Sequence, residues 1–157
     1  MKHVVYLSVF ALIFTLSVFA IPVAHAVTVA AATSGDWDTG ATWVGGAVPG
    51  IGVDKIIPAG ITVTVSTLVS NSDNINNYGT INITSGGTIH NVAGTISNNN
   101  GTITNSGTLT NTSGTISNFY SITNNLTGHI NNNSGTITNS GTINKKGDMK
   151  NIYSTGK

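Results

Sequence analysis

The sequence contains no cysteine, no glutamate and no arginine, and charged residues make up only 7% of its 157 positions. Without cysteine, an exported chain of this size has no disulfides and must be held by repetitive packing and hydrogen bonds. Ordinary soluble domains carry roughly a quarter charged residues, so ion pairing is not a working tool here. A formal net charge of +1 leaves little to neutralise phosphates. The one basic cluster, Lys145, Lys146 and Lys150, reads as a solvated C-terminal end, which argues against nucleic acid as a partner. Aromatic residues are also few, at 6%.

Long apolar runs are confined to the N-terminus. Lys2 and His3 precede an apolar stretch from Val4 to Val23, which ends in Ala24-His25-Ala26. That is the pattern of a secretory signal segment with small residues at the cleavage site. Residues 1–26 are therefore set apart from the fold, and cleavage would leave a chain beginning near Val27 outside the cytoplasm. The stretch of 20 residues is longer than the roughly 7–15 of a signal core and close to the roughly 20 of a membrane-spanning helix. Pro22 and the Ala-x-Ala site favour cleavage. Retention of residues 4–23 as a membrane anchor is the alternative, and would be the chain's sole route to a membrane.

What the sequence has in abundance is a repeat. Units begin at Gly79, Gly87, Gly94, Gly101, Gly107, Gly114, Tyr120, Gly128, Gly135, Gly141 and Gly147, reading Gly-Thr-Ile-x in their regular form. Four positions on, nine of these eleven units carry asparagine, and only Ile83 and Lys145 depart from the rule. In an extended strand neighbouring side chains point to opposite faces, so Thr and the residue after Ile face solvent while Ile and Asn face inward. One apolar residue per unit cannot make a core alone, so the units must stack on copies of themselves.

Unit starts lie 6 to 8 residues apart, and sums over three units run from 19 to 22. A three-sided coil of about 20 residues, rising roughly 4.8 Å per turn, accounts for that regularity. A two-sided coil of 12 to 15 residues is the alternative spacing. Eleven units make between three and four three-sided coils, and the preceding run with Ile61, Val63, Val65, Leu68, Val69 and Ile75 would supply the first ones. The repeat glycines are expected to take φ > 0 at the corners, with Ile and Thr suited to the pleated walls. The inward asparagines are expected to form hydrogen-bonded ladders.

Residues 35–60 are not repetitive and contain Trp37, Trp43, Pro49 and Pro58. They read as a cap over the end of the core, with the tryptophans closing it rather than forming a sugar-stacking platform. The set Trp37, Trp43, Gly45, Gly46, Pro49, Gly50, Asp54, Ile57, Pro58, Gly60 and Val63 resembles the start of many prokaryotic surface proteins with right-handed β-helices. The Gly-Thr-Ile-Thr-Asn-Ser repeats are similar to those of secreted adhesins and autotransporter passenger domains. The resemblance implies a right-handed parallel β-helix and a surface role, and it brings no catalytic residue. Those proteins are usually far longer and carry a C-terminal translocator barrel, which is not evident here.

Few residues could carry chemistry. Between Asn74 and Asn144 there is no Asp, Glu, Lys or Arg, whereas polysaccharide-cleaving β-helices need such groups gathered on one wall for acid–base work or calcium. His90 and His129 fall outward on one wall, two coils and roughly 10 Å apart, too far to share a metal ion. Asp36, Asp38 and Asp54 near the cap read as turn-capping carboxylates rather than a calcium site. Sequons occur at Asn82, Asn100, Asn111, Asn125 and Asn132, but Asn111 and Asn132 fall at inward positions where a glycan would not fit. Thr-Ile-Thr or Thr-Leu-Thr begins at Thr102, Thr108 and Thr136, yet no wall keeps two threonine columns, which speaks against ice binding.

The sequence thus predicts an all-β chain: a signal segment in 1–26, a cap with first coils in 27–70, and a single three-sided β-solenoid in 71–157. No catalytic, cofactor or metal residue is expected. The implied role is an exported, non-enzymatic structural or adhesive element on the cell surface, self-associating end to end or meeting surface glycans. A small ice- or glycan-binding module is the alternative.

Overall fold

The computed structural model describes residues 27–151, so the signal segment predicted for 1–26 lies outside the described residues. The chain enters through β1 (Val27–Ala30) and the short β2 (Gly35–Asp36), followed by a single 3₁₀ turn at Gly40–Thr42. Five three-stranded coils follow. The first holds β3 (Val53–Ile57), β4 (Thr62–Val65) and β5 (Leu68–Asn71), and the second β6 (Asn74–Asn77), β7 (Thr80–Ile83) and β8 (Thr88–Asn91). The third holds β9 (Thr95–Asn98), β10 (Thr102–Asn105) and β11 (Thr108–Asn111), the fourth β12 (Thr115–Asn118), β13 (Ser121–Asn124) and β14 (His129–Asn132). The fifth is β15 (Thr136–Asn139), β16 (Thr142–Lys145) and β17 (Asp148–Asn151).

Strands at the same place in successive coils pair in parallel and build three walls. The first wall is β1-β3-β6-β9-β12-β15, the second β2-β4-β7-β10-β13-β16, and the third β5-β8-β11-β14-β17. This is a three-sided β-solenoid, and the two-sided alternative falls. Ile81 pairs with Ile103, Ile103 with Ile122 and Ile122 with Ile143, so coil lengths reproduce the three-unit spacing of the repeat. Closure forces that agreement, because a coil that is one residue off turns its side chains to the wrong face.

The alternation follows the strand period. Nearly every repeat strand from β7 to β14 shows a half-buried outward residue, a buried Ile or Leu, a half-buried outward residue and a buried fourth residue. Ile81, Ile103 and Ile122 stack under the second wall, Ile96 and Ile116 under the first, and Ile89, Leu109 and Ile130 under the third, all buried. Burying each such side chain stabilises by roughly 2–3 kcal/mol, and only stacking makes it available. Ile137, Ile143 and Met149 of the last coil are only partly covered. In the preceding run Val63, Val65, Val69 and Ile75 face the core, but Leu68 faces outward, one register step before Val69.

The fourth position carries the ladders. On the first wall Asn77 Nδ2 donates to Asn98 Oδ1 at 2.8 Å, Asn98 to Asn118 at 2.7 Å and Asn118 to Asn139 at 2.8 Å. On the third wall Asn71 donates to Asn91, Asn91 to Asn111 and Asn111 to Asn132, and on the second Asn105 donates to Asn124. Each of these donors also reaches a backbone carbonyl, such as Ser121 O from Asn98 at 2.9 Å. All ladder donations therefore run toward the C-terminal end. A one-way ladder must begin with an unused acceptor, and among the described residues the three buried side-chain oxygens without a partner are Oδ1 of Asn71, Asn77 and Asn105, the first asparagine of each column. Beneath Asn77 and Asn105 the same position is apolar, held by Ile57 and Ile83. The departure at Ile83 thus marks where the second column changes from hydrophobic to polar.

The expectation that the repeat glycines take positive φ is overturned: among the described residues positive φ occurs only at Gly45, Gly46, Gly52 and Gly60, all before the repeats. The repeat glycines are required by space. A Cβ on Gly114 would overlap Asn91 Nδ2 and the Gly94 carbonyl, and one on Gly135 would overlap Asn111 Nδ2 and the Gly114 carbonyl. Gly94, Gly101, Gly128 and Gly147 likewise leave room for a ladder amide of the coil before, whereas at Gly79, Gly87, Gly107 and Gly141 the room is taken by backbone carbonyls of that coil.

Candidate functional site

The N-terminal end of the core is closed. Trp37 and Trp43 are both buried and meet edge to face, with centroids 4.9 Å apart and ring planes at 73°. Trp43 Nε1 donates to Trp37 O at 2.7 Å, which satisfies the indole inside the core. Buried in this way, neither ring offers a platform for sugar stacking.

The three carboxylates singled out in the sequence do not converge. Asp36 lies on the second wall, Asp38 accepts from Thr67 Oγ1, and Asp54 accepts from the Asn74 backbone N–H at 3.0 Å and from its Nδ2 at 3.1 Å. Among the described residues no three His, Asp, Glu or Cys side chains come together as a metal site would need. His90 and His129 lie on the third wall two coils apart, in adjacent outward columns. His90 Nε2 is 2.7 Å from Thr112 Oγ1, and His129 Nδ1 is 3.4 Å from Asp148 Oδ2 in an exposed pair that contributes little to stability. Of the sequons, Asn111 and Asn132 are buried in ladders, while Asn82 faces outward on the second wall and Asn100 is exposed at a corner.

An ion pair between a buried lysine and a half-buried aspartate was not legible from composition. Lys55 stands in the apolar column of the first wall, between Val29 and Ile75, and is 3% exposed. Its Nζ is 3.0 Å from Asp73 Oδ2, which also accepts from the Gly52 backbone N–H at 3.0 Å. Burial pushes the Asp73 carboxyl up, but the hydrogen bonds from Lys55 and Gly52, the lysine's charge and a bond from the Val53 N–H outweigh it, so the carboxyl titrates below its ordinary value. The signal was present in Val53-Asp54-Lys55-Ile56-Ile57, where period-two alternation puts Lys55 in phase with Val53 and Ile57.

From Asn74 to Asn144 the outward strand positions carry no Asp, Glu, Lys or Arg and are mostly hydrogen-bonding. The second wall carries an unbroken hydroxyl column, Thr62, Thr80, Thr102, Ser121 and Thr142, beside a column of Thr64, Asn82, Thr104, Thr123 and Asn144. Only one column is purely hydroxylic, as the register of the repeat predicts. At the corner between the first and second walls, Tyr78, Asn99, Phe119 and Ser140 each donate a backbone N–H to the coil before, which places them in one column. Tyr78 and Phe119 are exposed there, and Tyr120 follows directly. This surface can hydrogen-bond and stack. Against known protein families, curated proteins and solved structures the chain gives no match.

Proposed function

We propose that this chain is an exported structural or adhesive element that acts by display, holding neutral Thr/Ser/Asn walls on a rigid rod outside the cell. The observation that carries this reading is the surface itself: from Asn74 to Asn144 no charged residue interrupts outward columns of hydroxyls and amides. Such a surface has few groups that could move a proton or hold a substrate's charge, and many that form neutral hydrogen bonds. The resemblance of the repeats to those of secreted adhesins and autotransporter passengers supports the same reading, as does the Ala24-His25-Ala26 site after an apolar run.

N-terminal sequencing of the protein recovered from medium, envelope and cytosol tests export. A start at Val27 in the medium or on the surface is the expected result. An intact Met1 in the envelope would make it a tethered rod, anchored by residues 4–23, and an intact Met1 in the cytosol would overturn the reading.

Self-association belongs to the proposal and takes one direction. Both ends leave strands with a single neighbour among the described residues, β1, β2 and β5 at one and β15, β16 and β17 at the other, but Trp37 and Trp43 cover the core only at the N-terminal end. Unpaired edges over partly covered Ile137, Ile143 and Met149 favour contact between the C-terminal coils of two copies. In an antiparallel pairing centred on Met149, Asp148 of one copy would face Lys150 of the other. Light scattering that finds a folded strict monomer at high concentration would refute it.

A further inference from the structure

The aromatic residues of the described chain fall into two groups. Trp37 and Trp43 are in the core, while Tyr78, Phe119 and Tyr120 are 42%, 54% and 56% exposed. All three exposed rings lie on one edge of the prism, the corner leading from the first wall to the second. Tyr78 donates its backbone N–H to Ile57 O, Asn99 to Asn77 O and Phe119 to Asn98 O, so Tyr78 and Phe119 occupy the same position two coils apart with Asn99 between them. At the rise of one strand spacing per coil, that separation is roughly 9.6 Å along the axis. Exposed aliphatic side chains are scattered over the surface, but the exposed aromatic rings among the described residues share this one edge, as a contact site would place them.

Three properties of the corner constrain its occupant. It is neutral, since no charged residue lies between Asn74 and Asn144, so a phosphate backbone or an acidic polymer would gain no ion pair there. It is bordered by hydroxyls and amides, with Asn99 between the rings and Thr80 and Thr102 opening the adjacent column of the second wall. It repeats along a line, because successive coils bring the same position back at a fixed rise. An aromatic face stacks on the C–H face of a pyranose ring, whose equatorial hydroxyls then point sideways to such neighbours. In a β-1,4-linked chain alternate sugars are turned by half a revolution, so equivalent faces recur at every second sugar, about the two-coil distance.

We infer that this corner binds a neutral β-1,4-linked polysaccharide laid along the solenoid axis. Tyr78 and Phe119 stack on equivalent faces of every second sugar, Tyr120 widens the platform beside Phe119, and Asn99 bonds the sugar between. The inference rests on the display reading only for the place where such a ligand would be met. Binding in vitro and localisation in cells are separate measurements, so either can fail alone.

The test is titration of the protein recovered from cells with cellohexaose and chitohexaose, and with polygalacturonate as the anionic comparison. Saturable binding of at least one neutral hexaose is expected, insensitive to high salt and accompanied by shifts of the Tyr78 and Phe119 ring signals in NMR spectra. Tyr78→Ala and Phe119→Ala should each weaken it about tenfold, as loss of one stacked ring does. Leu126→Ala, at a different and 81% exposed turn position, should leave it unchanged. No binding of either neutral hexaose by folded protein, equal affinity for polygalacturonate, or shifts confined to other residues would overturn the assignment. So would ring variants that change only the protein's oligomeric state, which would give the corner to a second copy.

Discussion

Replacing Asn98 by alanine removes three hydrogen bonds at once, two of them buried and one part-buried, and the ladder geometry fixes their worth. Asn98 Nδ2 donates to Asn118 Oδ1 at 2.7 Å and to Ser121 O at 2.9 Å, and its Oδ1 accepts from Asn77 Nδ2 at 2.8 Å. At about 1 kcal/mol net for each, the loss comes to about 3 kcal/mol, more if the stranded Asn118 oxygen stays dry. Asn139, the exposed end of the same column, accepts from Asn118 at 2.8 Å and donates to Gly141 O at 3.0 Å, where water replaces what alanine removes. Asn139→Ala should therefore lower stability by about 1 kcal/mol or less. Urea unfolding followed by far-ultraviolet circular dichroism, with both variants beside the parent chain, reads the difference. A solenoid held by neighbour-to-neighbour terms must show the middle position costing more than the end. Equal losses for the two variants would refute the reasoning, because the ladder would then contribute no more in the core than in water.

Other outcomes follow from the same geometry. Gly114→Ala drives a methyl into Asn91 Nδ2 and the Gly94 carbonyl and should destabilise by about 1–3 kcal/mol, whereas Gly86→Ala, with only Ser66 O at 3.4 Å nearby, should be close to neutral; thermal melts of the pair decide it. Asp73→Asn leaves the Lys55 ammonium buried without its counter-charge and should lower stability by about 3–5 kcal/mol, while adding Lys55→Met should restore most of it, as a urea double-mutant cycle would show. The Asp73 carboxyl is held below its ordinary value in the folded chain, so its contribution is complete above about pH 4 and disappears as pH falls through the lower folded value. The acid limb of the urea midpoint against pH should accordingly flatten in Asp73→Asn; an unchanged limb would show that the pair is not stabilising.

Much of the architecture was legible because the repeat states its own constraint. An inward Ile at every unit and a three-unit sum near 20 residues leave few ways for the coil to close, and the observed pairing of Ile89, Leu109 and Ile130 follows directly. The ladders were legible from nine asparagines at one phase. The role of the repeat glycines was misread, since a glycine in a turn suggests positive φ, while the actual demand is for space beside a ladder amide or a backbone carbonyl one coil away. Lys55 and Asp73 were passed over because residue type outweighed phase. A lysine among valines and isoleucines looks like a surface residue until a partner 18 positions later is brought to it.

The sequence by itself determined the all-β class, the size of the coil, the inward and outward faces and the neutrality of the walls, because each is a property of spacing along the strand or of composition. Only the tertiary structure decided which ends of the core are closed, that every ladder points one way, and that Lys55 sits inside. It alone gathered Tyr78, Phe119 and Tyr120 on one edge. Apart from the Trp37–Trp43 contact, those features depend on contacts between residues about 20 or 40 positions apart, and such contacts exist only once the coils have closed on one another.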